Sequence, residues 1–233
     1  MMLTGNSDVK TAMDAVNEGC VFRFLTKPCP SKLMGDSLLA AIQQYRLVTS
    51  EKELLAGTLS RTAELLAEVL SWVNPEAFGR TVQLRNTALS IAYQLKVKDE
   101  WEIGLAATLS QLGVMAIPGE ILVKMDVGAP MTDEEKNVFE SIPGVGHDLI
   151  ERIPRLEDVA KIILYQRKCF NGDGFPSDGV KEANLPLGSR ILKVANDFHE
   201  LRATGLDRAE CIKQMKGRAG YYEPAVLQIF EQE

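Results

Sequence analysis

The sequence predicts a mainly α-helical protein: a helical bundle preceded by a long connector helix and a short α/β remnant. Three observations lead there. Leu, Ala, Ile and Val dominate the apolar set and aromatic residues make up only 6%, a composition suited to helices packed on helices. Apolar residues recur at helical spacing over 31–73 and again through most of 74–233. Strand-like patterning is confined to the first thirty residues.

Over 8–17 the apolar rhythm of Ala12, Met13, Ala15 and Val16 is helical, and Gly19 is a helix stop. Val21, Phe22, Phe24 and Leu25 then form a short strand that ends at Lys27-Pro28. Residues 31–73 hold no proline and only two glycines, Gly35 and Gly57. Leu55, Leu59, Leu66, Val69 and Val73 fall on a 3–4 spacing, with Thr62 in one slot. This predicts one long amphipathic helix or two in series, acting as a dimerising connector or as a plain bundle helix. Asn74-Pro75 opens the next helix. Helices are expected over 77–95, 101–112, 119–124, 133–141, 145–153, 156–168, 187–202, 208–216 and 224–231. Thr132-Asp133-Glu134-Glu135 has the composition of a capped start. The one long irregular stretch, 169–186, is rich in Gly, Asp and Pro, and loops of that length are often functional.

The bulk numbers narrow the function classes. Apolar residues at 45% and charged residues at 25% describe a globular chain of 233 residues. No apolar run approaches the ~20 residues that span a bilayer, and no signal peptide is evident, so a cytoplasmic location without membrane contact is expected. A net charge of −6 disfavours nucleic acid. Cys20, Cys29, Cys169 and Cys211 show no metal-ligand spacing and read as reduced thiols. His147 and His199 are the only histidines, few for a multi-metal site.

Residues 1–30 resemble the last third of a response-regulator receiver domain. Leu3-Thr4-Gly5 matches that family's switch hydroxyl, and Phe24-Leu25-Thr26-Lys27-Pro28 matches its phosphate-contacting lysine. The resemblance makes Thr4 and Lys27 the remnant of a switch, addressed in an intact receiver by a histidine kinase. The acidic pocket and the phosphoacceptor belong to an earlier part of such domains.

The remainder resembles an HD-GYP domain, a helical family that hydrolyses cyclic di-GMP. Four stretches carry the match: Ile117-Pro118 with Ile121-Leu122-Val123-Lys124, Pro130 to Glu135, Asn171-Gly172-Asp173-Gly174-Phe175-Pro176, and Ser189 to Ala195. The resemblance implies a site in which imidazoles and carboxylates hold two or three metal ions that polarise a phosphodiester. At the corresponding positions stand Arg80, Ser110, Gln111, Ile142, Gln166, Arg167 and Asn196. Asp197 lies one residue off, and at ~100° per residue it points elsewhere.

The expected organisation is therefore a receiver fragment over 1–30, a coiled-coil-like connector over 31–73 and a degenerate HD-GYP domain over 74–233. The expected function is a response regulator with a non-catalytic, protein-interaction output domain. It is expected to have no cofactor or metal, to be no enzyme, and to form a homodimer through the connector. The alternative is a non-hydrolytic cyclic di-GMP sensor, with Lys124, Arg190, Arg80 and Arg167 contacting phosphate. An active phosphodiesterase stands behind both. The glycine-rich loop with Gly172, Gly174, Phe175 and Pro176 is the first candidate surface.

Overall fold

A computed structural model describes residues 2–4, 24–73, 75, 81–126 and 129–232. The helix expected over 8–17, the first residues of the strand run and Arg80 lie outside the described residues.

Two short parallel strands, β1 (Met2–Thr4) and β2 (Phe24–Thr26), pair Met2 with Phe24, Leu3 with Leu25 and Thr4 with Thr26. That register puts Thr4 and Lys27 at the same end of neighbouring strands. Helix α1 (Ser31–Val73) follows and runs unbroken for 43 residues. Gly35 and Gly57 do not interrupt it; neither has an atom within 4 Å of where a Cβ would stand. The chain divides into two compact units, Met1–Gly57 and Thr58–Glu233, so the division falls inside α1.

In the second unit, α2 (Thr81–Gln94), α3 (Glu100–Leu109), α7 (Glu157–Leu164) and α8 (Leu187–Ala203) pack around one apolar core. The C-terminal part of α1 contributes Leu59 and Ala63 to it. Residues α4 (Gly119–Asp126), α5 (Asp133–Glu140) and α6 (Ile142–Ile150) lie between α3 and α7 in sequence. Helices α9 (Arg208–Lys216) and α10 (Pro224–Gln232) close the chain and bring Cys211, Met215, Val226 and Phe230 to the core. Helix α8 is central, in contact with α2, α3, α7, α9 and α10. From Ile191 to Phe198 every residue of it is buried. A second, smaller cluster gathers Val114, Ile117, Ile121 and Ile142.

The helix ends differ from the sequence expectation for identifiable reasons. Helix α3 stops at Leu109, and a 3-10 turn (Leu112–Ala116) replaces the helix expected to run to 112. There the backbone passes so close to α6 that a Cβ on Gly113 would stand 2.1 Å from the Ile142 carbonyl oxygen. Helix α6 starts at Ile142, three residues early, because Pro143 is tolerated in a first turn. Helix α7 ends at Leu164 rather than 168. Its expected last turn is spent on reversing the chain, which turns Gln166 and Lys168 inward. Helix α5 starts as its composition predicts: the Glu135 N–H donates to Thr132 Oγ1 at 3.2 Å, and the Thr132 N–H donates to Glu135 Oε2 at 2.8 Å.

Two glycines should respond oppositely to alanine. Gly113→Ala forces its methyl group into the Ile142 backbone and is expected to cost about 1–3 kcal/mol. Gly57→Ala meets open space in mid-helix and is expected to stabilise by up to about 1 kcal/mol. Chemical denaturation of both variants checks the pair; a neutral Gly113→Ala contradicts the close approach.

Candidate functional site

Three chain reversals bring the nominated positions together. Ser110 follows the last residue of α3, Gln166 lies just past α7, and Asn196 sits mid-way along α8. Ser110 Oγ donates to the Ala107 carbonyl at 2.8 Å. Gln166 Nε2 donates to the Ser110 carbonyl at 3.1 Å, and Gln166 Oε1 accepts from Asn196 Nδ2 at 3.3 Å. Gln111, half-buried at the edge, reaches Ser110 Oγ over 3.4 Å. Ser110, Gln166 and Asn196 are all at least nine-tenths buried, yet each has a hydrogen-bond partner, as buried polar groups require.

The other nominated positions diverge. Ile142 is not part of the polar chain; it fills the smaller apolar cluster. Arg167 pairs with Glu200 at 2.9 Å and lies 4.8 Å over the Phe139 ring. Lys124 bonds Glu135, and Arg190 bonds Glu223 at 2.6 Å, leaving its buried Nε without a partner. All three described cations nominated for phosphate contact therefore already have a carboxylate. The Lys124 hydrogen bond and the Thr132 amide hold the Glu135 carboxyl below the usual range.

The donor set does not fit a divalent-metal pair. The Asn196 and Gln166 carboxamides engage each other and the Ser110 backbone carbonyl, and among the described residues no imidazole or carboxylate joins them. Asp197, on the next residue of α8, is spent elsewhere: it accepts from Lys193 at 2.8 and 2.9 Å, from the Tyr222 hydroxyl at 2.6 Å and from Arg218 at 3.3 Å. Burial and the Asp197 carboxylate push the Tyr222 hydroxyl above the usual phenol range. His199 shares a 3.0 Å hydrogen bond with Thr87. On α6, His147 Nδ1 lies 3.1 Å from Asp148 Oδ1 and 3.8 Å from Glu151 Oε2.

The stretch 169–186 is irregular but tied at many points. Gly172 and Gly174 take φ of +97° and +95°, which glycine adopts without strain. The Phe170 N–H donates to the Tyr221 carbonyl at 2.9 Å, Asn171 N–H to Gly220 at 2.8 Å, and Glu182 N–H to Phe170 at 2.7 Å. Phe175 packs against Gly144 of α6, where a Cβ would stand 3.1 Å from the ring.

Sequence reasoning missed the loop's main brace. The Lys168 side chain is fully buried, and its ammonium bonds the Pro176 carbonyl and Asp178 Oδ1. The Tyr165 hydroxyl donates to Asp178 Oδ2 at 2.6 Å, and the Val180 N–H donates to Oδ1 at 3.1 Å. Burial works to raise the Asp178 carboxyl, but the Lys168, Tyr165 and Val180 hydrogen bonds outweigh it and hold the pKa at about 2. Burial and Asp178 push Tyr165 up to about 12. No local pattern announces this triad, since Asp178 is one acidic residue among several in the loop.

The sign of its pH dependence follows. Asp178 has a folded pKa of about 2 against ~3.9 unfolded, so it stabilises above about pH 4 and the contribution disappears as pH falls toward 2. Asp178→Asn is expected to lower the melting temperature at neutral pH, and the gap to the parent protein should narrow from about pH 4 downward as the pH falls through about 2. Thermal melts across that range check it; a gap that widens on acidification contradicts the brace.

A family model described as HD domain matches residues 64–226. The chain is 30% identical over 209 residues to the cyclic di-GMP phosphodiesterase response regulator RpfG of Xanthomonas campestris, covering 80% of this chain and 53% of that protein. It is 28% identical over 137 residues to a cyclic di-GMP phosphodiesterase of Thermotoga maritima, covering 55% of this chain and 36% of the relative. It thus spans about half, or less, of the length of these relatives. A solved HDG"Y"P protein from Bdellovibrio bacteriovorus shares the fold with a TM-score of 0.54 at 20% identity, over 66% of this chain and 50% of that one.

The expectation that the chain is no enzyme is overturned by these relatives: proteins named as phosphodiesterases point to a hydrolase family. Replaced ligands bear on one metal-centred chemistry and do not show inactivity. Among the described residues, no helix is long and apolar enough to cross a membrane. The chain belongs to the HD domain family, and its helical unit shares the fold of the HDG"Y"P protein.

Proposed function

We propose that the chain is a regulatory output module of signal transduction that works in the cytoplasm through a protein partner. In this reading 1–30 is the end of a receiver domain, 31–73 the connector and 74–233 the output domain. A histidine kinase would address the intact receiver. The placement of Thr4 and Lys27 at one end of two parallel strands supports the receiver reading.

The observation that carries the partner reading is the braced surface of 169–186. Asn171, Asp173, Lys181, Glu182 and Asn184 are exposed on a loop whose backbone is bonded to residues 220–221 and whose buried face is held by Lys168. A preordered loop loses little conformational entropy on binding, which favours recognition of another protein. Tagged protein bearing Asp173→Ala with Lys181→Glu should recover less of a specific partner from cell extract than the parent does. Mass spectrometry of the captured material provides the readout, with unchanged melting as the folding control. Equal recovery by both forms removes the loop from the reading.

A second reading takes cyclic di-GMP as ligand or substrate, and the names of the relatives favour it. In this reading Arg167, whose pair with Glu200 is partly exposed, would exchange that carboxylate for a phosphodiester oxygen. Calorimetry is expected to register binding that Arg167→Glu weakens at least tenfold, about 1.4 kcal/mol. Chromatography of the same mixtures reports turnover. No heat at high micromolar ligand sinks this reading and leaves the partner reading standing.

A further inference from the structure

The chain leaves α9 at Gly217, turns tightly with Gly220 at φ +78°, and enters α10 at Pro224. A cleft of about 300 Å³ opens where the two helices and this turn meet. Met215, Tyr222, Pro224 and Leu227 give it an apolar lining, and a few polar side chains stand among them. An apolar hollow of this size with a small number of polar groups is the usual makeup of a small-molecule site.

The charges around the cleft do not balance. Lys216 of α9 and Glu231 of α10 both line it and neutralise each other, at 2.9 and 3.1 Å. Lys193 and Arg218, by contrast, share one carboxylate. Asp197 accepts from Lys193 at 2.8 and 2.9 Å and from the Tyr222 hydroxyl at 2.6 Å, while Arg218 Nη1 reaches it only at 3.3 Å. Two cations on one anion leave one positive charge in excess.

That excess is presented at the cleft. The Lys193 side chain is 11% exposed, whereas that of Arg218, which lines the cleft, is 37% exposed. Nη1 is the nitrogen of Arg218 that donates within the protein, to Asp197 and at 3.4 Å to the Tyr222 hydroxyl. Its Nε and Nη2 have no hydrogen-bond partner among the described residues. Their N–H groups lie parallel along one edge of the guanidinium, the fork that fits the two oxygens of a carboxylate. One excess charge also suits a monoanion better than a phosphate monoester, which carries nearly two.

From the cleft, the unbalanced charge and the open fork together, we infer that this cleft binds a small organic monocarboxylate. Its carboxylate lies on the Nε–Nη2 edge of Arg218, and its apolar body lies against Met215, Pro224 and Leu227. The ligand and the 169–186 loop share a support, because the Gly220 and Tyr221 carbonyls that accept from Asn171 and Phe170 belong to the turn beside the cleft.

The test uses the full chain, isotope-labelled for nuclear magnetic resonance, with phenylpropionate as the probe. Amide shifts within 215–231 are expected to saturate with a dissociation constant on the order of millimolar, the affinity that a ligand of this size ordinarily reaches. The neutral phenylpropionamide, of the same shape, should bind about tenfold more weakly. Arg218→Gln should bind acid and amide alike, and its melting temperature is recorded because Arg218 also donates to Asp197. Gln228→Trp, at an exposed position on the cleft wall, should block the cleft without touching that network. No saturable shift at about 20 mM probe, or equal binding of the amide by the parent protein, overturns the proposal. So does unchanged binding by Gln228→Trp, or by an Arg218→Gln variant that melts like the parent.

Discussion

Burial of α8 on every side between Ile191 and Phe198 is the constraint from which the rest of the HD domain follows. A helix with no solvent face over that span must satisfy each of its polar side chains inside the protein. Lys193 and Asp197, four residues apart, do so with each other, and Tyr222 and Arg218 from the C-terminal segment complete the shell. Leaving one member of such a pair buried alone would cost roughly 3–5 kcal/mol. Asn196 does so with Gln166, and Gln166 with the Ser110 backbone. The place where α3, α7 and α8 meet is therefore set by hydrogen bonds radiating from one buried helix.

Charge at the surface of this domain is organised in pairs of unequal worth. The Lys124 and Arg167 side chains are 39% and 27% exposed and solvent screens their pairs, so these contribute little and can be exchanged for another anion. Arg190 with Glu223, and Lys168 with Asp178, are more enclosed. Removing either carboxylate strands a buried cation, which ties the 169–186 loop and the start of α8 to their present positions.

The HD fold and the HD metal-ligand set are separable in physical terms. The fold depends on the apolar core and on satisfaction of polar groups at the meeting point of three helices. Neutral carboxamides meet the second requirement at a net gain of about 1 kcal/mol per hydrogen bond, with no ion to offset clustered carboxylates. Membership of a hydrolase family and a neutral polar centre therefore coexist in one chain. The chain's chemistry is to be sought from the residues it has rather than inferred from those it lacks.

Much of the architecture was legible in the sequence because it rests on local signals. The heptad spacing marked α1, the Thr132–Glu135 pattern marked the start of α5, and Ser110, Gln166 and Asn196 could be nominated from flanking motifs. The sequence by itself determined a helical protein, the positions of its elements and the residue types at its centre. Only the tertiary structure decided which of those residues touch: Ser110 with Gln166 across 56 positions, Arg167 with Glu200, Lys168 with Asp178. Helix ends at 109 and 164 were likewise set from outside, by the approach of Gly113 to Ile142 and by the inward turn of Gln166 and Lys168. Hydrogen bonds and close packing between distant segments depend on distances in space, and no spacing along the chain encodes them.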